Sequence, residues 1–233
     1  MSLNISLVLC LILSGACLVI NRPFLEASEK QQNVRALWLK LAASLCFMAI
    51  AVVSLFTENV GYDRFWLVVA LGLFFGCVGD VLLAFRHIFK KHYELCFTVG
   101  ALSFVLEHLL FIGYFVYINE NIVPVATLCF IIGFATATFV LAKTRVKGGR
   151  LQIGLYVYIA IVCLMCATAV ATAIKLPSVG SLMFALGSIC FVASDTTICV
   201  YNFSEYKEFK WMILLHYLYY PAQLLIALSV MFV

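Results

Sequence analysis

Charge is what this sequence has least of. Asp, Glu, Lys and Arg make up 11% of its 233 residues, against about 25% in an ordinary soluble domain. Hydrophobic residues reach 65% and mean hydropathy is +1.11. A soluble chain of this length cannot bury that much apolar surface, so a soluble globular protein is excluded, as is a disordered chain. A net charge of +4 with no basic patch excludes nucleic acid as a partner. No basic residue precedes the first apolar run and no small-residue cleavage site follows it, which excludes a cleaved signal peptide and predicts a retained first span. Only four His are present, and only His108 and His216 fall within apolar runs. That is too few for an intramembrane zinc hydrolase of the ceramidase kind, so no metal site is expected. The ten Cys all lie in or beside apolar runs, where they act as small buried hydrophobes. Cys163 and Cys166 form a CxxC without a second pair, inside a run read as facing lipid, and carry no redox or metal expectation.

What is present is a series of apolar runs. Crossing a bilayer takes about 20 residues. Eight runs qualify, at approximately 3–20, 36–56, 65–85, 95–117, 122–142, 151–174, 180–201 and 211–232. The fold class is therefore all-α, eight transmembrane helices in a single polytopic membrane domain over 1–233. The connections are short and leave no room for a soluble domain. Twelve of the fifteen Lys and Arg fall in connections 1–2, 3–4, 5–6 and 7–8, and two in the others. By the positive-inside rule the rich connections face the cytosol and both termini face away from it. Spans 3 and 7 each carry an Asp after a small residue, and spans 4 and 8 each carry a His. A weak parallel repeat of four helices, 1–120 and 121–233, fits that pattern.

Ionisable residues within a span cost about 2.5–3.5 kcal/mol at its centre and mark function or pairing. Lys40, Asp80, Glu107 and Asp195 stand out. At about 1.5 Å rise per residue, Asp80, Asp195, Lys40 and His216 all lie roughly 8–10 Å below the cytosolic edge. Four groups from four helices at one level predict a polar pocket open to the cytosol, with a carboxylate pair at its base. A purely structural salt-bridge network is the plainer reading, but two Asp and one Lys leave a charge unpaired. Shared burial splits the two carboxyl groups into one acid and one base, the arrangement proton transfer needs. Span 8 places His216, Tyr219 or Tyr220, and Gln223 on one side of a helix. Glu107 and His108 lie deeper, about 20 Å from the edge, and being adjacent they point about 100° apart, so only one faces the pocket directly. Small-residue stripes, Gly72, Gly76 and Gly79 in span 3 and Ser181, Ala185 and Ser188 in span 7, predict close helix packing.

At these residues the sequence resembles the YhhN-like lysoplasmalogenases, multi-span hydrolases of the vinyl-ether bond of lysoplasmalogens. The matching stretches are Gly76-Cys-Val-Gly79-Asp80, Phe104-Val-Leu-Glu107-His108-Leu-Leu-Phe111, Gly187-Ser-Ile-Cys-Phe-Val-Ala-Ser194-Asp195 and Tyr219-Tyr220-Pro-Ala-Gln223, with Lys40 at the family's span 2 Lys. They occur in order over nearly the whole chain. Phe111 stands where the family usually has a Tyr, leaving Tyr114 or nothing as a substitute hydroxyl, and Leu41 stands where a Pro often follows the Lys. The resemblance implies hydrolysis of a lysophospholipid drawn from the bilayer to a fatty aldehyde and glycerophosphoethanolamine or glycerophosphocholine, with Asp80 and Asp195 as acid and base in either order. Lys40 would hold one Asp ionised or contact the lipid phosphate, and Tyr219, Tyr220, His216, Gln223, His108 and Glu107 would support. It implies no metal or organic cofactor. The alternative is a proton-coupled transporter or a lipid-binding, receptor-like protein. A cytosol-facing site fits the endoplasmic reticulum in a eukaryote or the inner, plasma membrane in a bacterium. No motif bears on oligomeric state.

Overall fold

Eight long helices follow one another along the chain: α1 Leu3–Glu29, α2 Asn33–Leu55, α3 Arg64–Ile88, α4 Tyr93–Ile118, α5 Val123–Lys143, α6 Gln152–Lys175, α7 Val179–Phe203 and α8 Phe209–Ser229. The computed structural model describes residues 3–57, 64–206 and 208–232. There is no strand among them. All eight helices are long and apolar enough to cross a membrane, and their outward faces carry large apolar side chains such as Ile12, Phe74, Ile132 and Phe139. That distribution belongs to a protein whose solvent is lipid. Lys207, counted above among the basic loop residues, lies outside the described residues, as do both termini.

Each helix packs against the next along the chain except α4 and α5, whose backbones do not meet; α5 lies against α6 and α7 instead. α8 is the hub and also touches α1, α2 and α3, while α4 reaches across to α6. The α4 and α7 backbones do not come together. Side chains and a cavity fill the space between them.

Glycine sets the closest approaches. A Cβ on Gly72, Gly76 or Gly79 would fall within 3 Å of Phe111, of Gln223 and Glu107, or of Phe104 respectively. The stripe of α3 thus meets Phe104, Glu107 and Phe111, the i, i+3, i+7 ridge of α4. On α7 the close approach is made by Gly180 and Gly187, whose Cβ positions fall against the α8 backbone at the Ser229 and Ala222 carbonyls. The stripe expected there named Ser181. Ser181 instead shares a reciprocal cap with Ser178 at the start of α7, satisfying two otherwise orphaned N–H groups.

Two helix ends depart from the hydropathy reading. α1 continues past residue 20, through Pro23, to Glu29. Its extension is amphipathic: Phe24, Leu25 and Ala27 are buried while Arg22 and Glu26 pair in solvent at 3.2 Å. Its apolar face packs on Ala36, Leu39, Phe209 and Met212. α3 continues to Ile88, so Arg86, read from sequence as a loop residue, is helical and buried. The CxxC also differs. Cys163 is buried against Ala137, Ile159 and Cys199 and does not face lipid, and all ten Cys are free thiols.

Candidate active site

A cavity of about 370 Å³ opens at the end of the bundle that carries the basic connections. Its walls come from α1, α2, α3, α4, α6, α7 and α8, and Lys40, Asp80, Asp195, His216 and Tyr219 all line it. The four groups set at one depth by sequence are thus brought to one space. They do not form one network.

Asp80 is the centre of the first station. Lys40 Nζ lies 3.0 Å from its Oδ1. Ser44 and Tyr219 donate hydroxyl protons to its Oδ2 at 2.6 and 2.8 Å. An ammonium and two hydroxyl donors on one carboxylate satisfy the charged form. α2 supplies both Lys40 and Ser44 because i and i+4 share a face.

Asp195 forms the second station and has no Lys or Arg partner among the described residues. Tyr158 of α6 donates to its Oδ2 at 2.6 Å, and His108 Nε2 lies 3.7 Å from the same oxygen. No described residue hydrogen-bonds Oδ1. Phe191 sits between the stations, edge-on to Tyr219 on one side and to His108 on the other, with centroids 5.6 and 4.9 Å away. Phe104, also edge-on to Tyr219 at 6.0 Å, extends this aromatic partition to the cavity wall.

The remaining sequence candidates fall outside the cavity or play another part. Glu107 and His108 both lie beneath it, fully buried; neither lines it, although one of the two was expected to. Gln223 donates from Nε2 to Glu107 Oε1 at 3.1 Å and to the Tyr219 oxygen at 3.2 Å. Glu107 and Gln223 therefore form a buried strut under Tyr219, seated where Gly76 has no side chain. His216 turns its Nδ1 to the Met212 carbonyl at 2.8 Å and packs its ring, tilted, against Phe24 with centroids 4.6 Å apart, away from both carboxylates. Tyr220 is fully buried and its hydroxyl has no partner among the described residues. Tyr114 packs on Phe65 and Phe115 at the opposite end of the bundle. Phe111 is buried against Gly72 and Phe184.

Tyr158, Ser44 and Arg86 were missed by the sequence reading. Arg86 lines the mouth of the cavity with its guanidinium lying over Tyr93 and Phe97, 5.6 and 5.4 Å from the ring centroids. The α1 extension closes another side of the mouth with Phe24 and Ser28. A second opening is lateral. Thr98 and Leu102 of α4 and Gly154 and Val157 of α6 line the cavity yet are exposed, Leu102 by 55% and Val157 by 54%. On this surface exposure means lipid, so the cavity communicates with the bilayer between α4 and α6. Among the described residues no three His, Cys, Asp or Glu side chains are grouped to hold a metal ion.

The YhhN family model matches residues 34–230. The chain belongs to the YhhN family. The match runs from the start of α2 to the end of α8 and so includes every residue of both Asp stations, while all of α1 precedes it. No curated protein and no solved structure matches the chain.

Proposed function

We propose that this YhhN-family membrane protein is a lysoplasmalogenase-type hydrolase that cleaves the vinyl-ether bond of a single-chain phospholipid. The observation that carries the reading is a cavity faced by two carboxyl groups in unlike surroundings, Asp80 beside an ammonium and Asp195 without one. Environments that differ in this way divide acid from base. The lateral opening supplies a route for a lipid tail, and family membership supports a hydrolase.

In this reading Asp195 is the general acid. Its proton goes to the outer carbon of the alkene, and the electron pair of the ether oxygen forms the oxocarbenium ion. The Asp80 carboxylate stabilises that cation and accepts a proton as water adds to the inner carbon. The resulting hemiacetal passes its hydroxyl proton to the glycerol oxygen as the carbon–oxygen bond breaks. A fatty aldehyde and a glycerophospho-alcohol leave. The proton gained at Asp80 returns to Asp195 through the water of the open cavity, so none is consumed. Positioned proton transfers of this kind contribute about 10²–10⁴-fold each.

A cavity of about 370 Å³ is near the lower end of ligand sites, about 300–1,000 Å³. It accommodates a headgroup and the first atoms of one chain, with the rest of the tail in the bilayer. A second chain beside the carboxylates has no such room, which favours the lyso form. The site faces the cytosol from an endoplasmic reticulum or bacterial inner membrane by the distribution of Lys and Arg.

The test offers purified protein alkenyl, alkyl and acyl lysolipids with one headgroup and follows fatty aldehyde and free fatty acid. Aldehyde from the alkenyl lipid alone is expected. Protonating an alkene carbon does nothing for an ester, so free acid from the acyl lipid identifies a different hydrolase. Absence of both products favours the transporter or receptor-like alternative.

A further inference from the structure

We infer that Arg86 binds the phosphate of the lipid, holding the anionic phosphodiester at the cavity mouth while the carboxylates act on the chain below. This rests on the lysolipid reading of the cavity and deepens it.

Arg86 is 6% exposed. Its Nη1 has no hydrogen-bond partner among the described residues, and no described carboxylate forms an ion pair with it. A guanidinium removed from water with no counter-charge is costly unless something else supplies the charge. The group is held ready. Its Nε donates to His87 Nε2 at 3.1 Å, and its plane is supported by the Tyr93 and Phe97 rings. Arg86 lines the cavity with its charge uncompensated, so an anion seated there meets a cation that has no other counter-charge among the described residues. A fixed planar fork matches phosphate geometry better than an ammonium does. Lys40, the other cation considered for this role, is already committed to Asp80 at 3.0 Å.

Spacing fits the same ligand. Asp80 and Arg86 lie on one helix, six residues and so about 9 Å apart along its axis. The chain of bonds from phosphorus through glycerol to the outer alkene carbon is of that length when extended. A lipid whose phosphate sits on Arg86 brings its vinyl ether to the level of the carboxylates.

The experiment measures binding in a sugar-based detergent, which carries no phosphate. Wild type, Arg86→Lys and Arg86→Gln are titrated with an alkyl-ether lysophosphatidylethanolamine, with the corresponding alkylglycerol, and with inorganic phosphate. The ether has no alkene and does not react, so the outcome is independent of turnover. Wild type is expected to bind the phospholipid about ten- to a hundredfold more tightly than the alkylglycerol. Arg86→Gln is expected to bind the two lipids alike, Arg86→Lys to fall between, and inorganic phosphate to leave all three unshifted. Where the alkenyl lipid turns over, Arg86→Gln raises its KM and leaves kcat near wild type. An unchanged preference in Arg86→Gln overturns the inference. So does an equal loss of affinity for both lipids, which marks a structural role. Inorganic phosphate binding that disappears in Arg86→Gln assigns the residue to a free anion and overturns the lipid assignment. Failure of wild type to bind either lipid overturns the lysolipid cavity and this inference together. Phosphate discrimination without aldehyde production sinks the hydrolase reading alone.

Discussion

Tyr158 donates its hydroxyl to Asp195 Oδ2 at 2.6 Å, reaching from α6 to α7 to satisfy a carboxyl group that no Lys or Arg approaches among the described residues. The counterpart bond runs from Tyr219 of α8 to Asp80 of α3 at 2.8 Å. Each Asp is thus oriented by one tyrosine on a different helix, but only Asp80 also has an ammonium. In the proposed reaction this asymmetry is what separates the tasks of the two carboxyl groups.

Tyr158→Phe removes the hydroxyl and keeps the ring. Asp195 then loses the one hydrogen-bond donor it has at normal distance among the described residues, since His108 is 3.7 Å away. The expected outcome is a fall in kcat of about tenfold, near the cost of one neutral hydrogen bond at about 1–1.5 kcal/mol, with KM for the alkenyl lysolipid little changed. Steady-state kinetics on the purified variant would show it. A raised KM with normal kcat assigns Tyr158 to lipid binding instead.

Asp80→Asn and Asp195→Asn are each expected to lower turnover at least a hundredfold, because the amide keeps the shape and cannot carry the proton. Residual activity above about a tenth of wild type removes that Asp from the acid–base pair. Their stabilities should differ. Asp80→Asn strands the mostly buried Lys40 ammonium, a change worth about 3–5 kcal/mol for a broken buried pair. Asp195→Asn strands no cation and keeps an oxygen to accept from Tyr158. The melting temperature should therefore fall further in Asp80→Asn, and Lys40→Met combined with Asp80→Asn should recover most of the difference. Equal melting temperatures in the two single variants would mean the ion pair contributes nothing to the fold.

Gly76→Ala tests the strut beneath Tyr219. A Cβ there lies 2.8 Å from both Gln223 Nε2 and Glu107 Oε2. One of the pair must move, and Tyr219, which Gln223 contacts at 3.2 Å, moves with it. Activity is expected to fall together with thermal stability, by about 1–3 kcal/mol for an overpacked site. Gly113→Ala and Gly133→Ala meet nothing within 4 Å and should leave both unchanged or raise stability slightly. Thermal unfolding in detergent separates the cases.

The parts legible in the sequence are those whose cost in a bilayer is large. Eight spans follow from eight apolar runs, and Lys40, Asp80 and Asp195 stand out because a charge in such a run is expensive. Tyr158 and Ser44 do not stand out, because a tyrosine or serine in a span is cheap and has many structural roles. The one signal for Tyr158 is its place in span 6 at the depth of Asp195, on the helix next to that span. Arg86 was hidden for a different reason. A charged residue at the edge of an apolar run reads as the end of the span, and only packing reveals that α3 continues past it and buries it. The α1 extension was lost the same way, since Arg22, Glu26 and Glu29 dilute its hydropathy while Phe24 and Leu25 still pack inward.

The distribution of Lys and Arg predicts the orientation, and the side from which the proposed site is reached depends on it. Reporter fusions at each terminus should place both on the side away from the cytosol, because the mouth of the cavity shares its end with the connections rich in Lys and Arg. A cytosolic reporter at either end would reverse the side from which the headgroup enters.

Val157→Trp tests the lateral route. Val157 of α6 lines the cavity while 54% exposed, as does Leu102 of α4 at 55%. An indole there fills the gap between α4 and α6 without touching either Asp station, and a large apolar group on a lipid-facing surface does not strain the fold. A long tail that must pass through the gap is then excluded, whereas a vinyl ether whose chain ends inside the cavity is not. Wild type is expected to favour the long-chain alkenyl lysolipid. Val157→Trp is expected to lose about tenfold or more in kcat/KM on it, the order of 1.4 kcal/mol or above in transition-state binding, and to keep its rate on a short-chain analogue. Loss on both substrates alike would mean the indole disturbs the carboxylates themselves. Retention on both would show that the tail leaves by the mouth, past Phe24 and Ser28, and that the exposed side chains of α4 and α6 are ordinary lipid-facing surface.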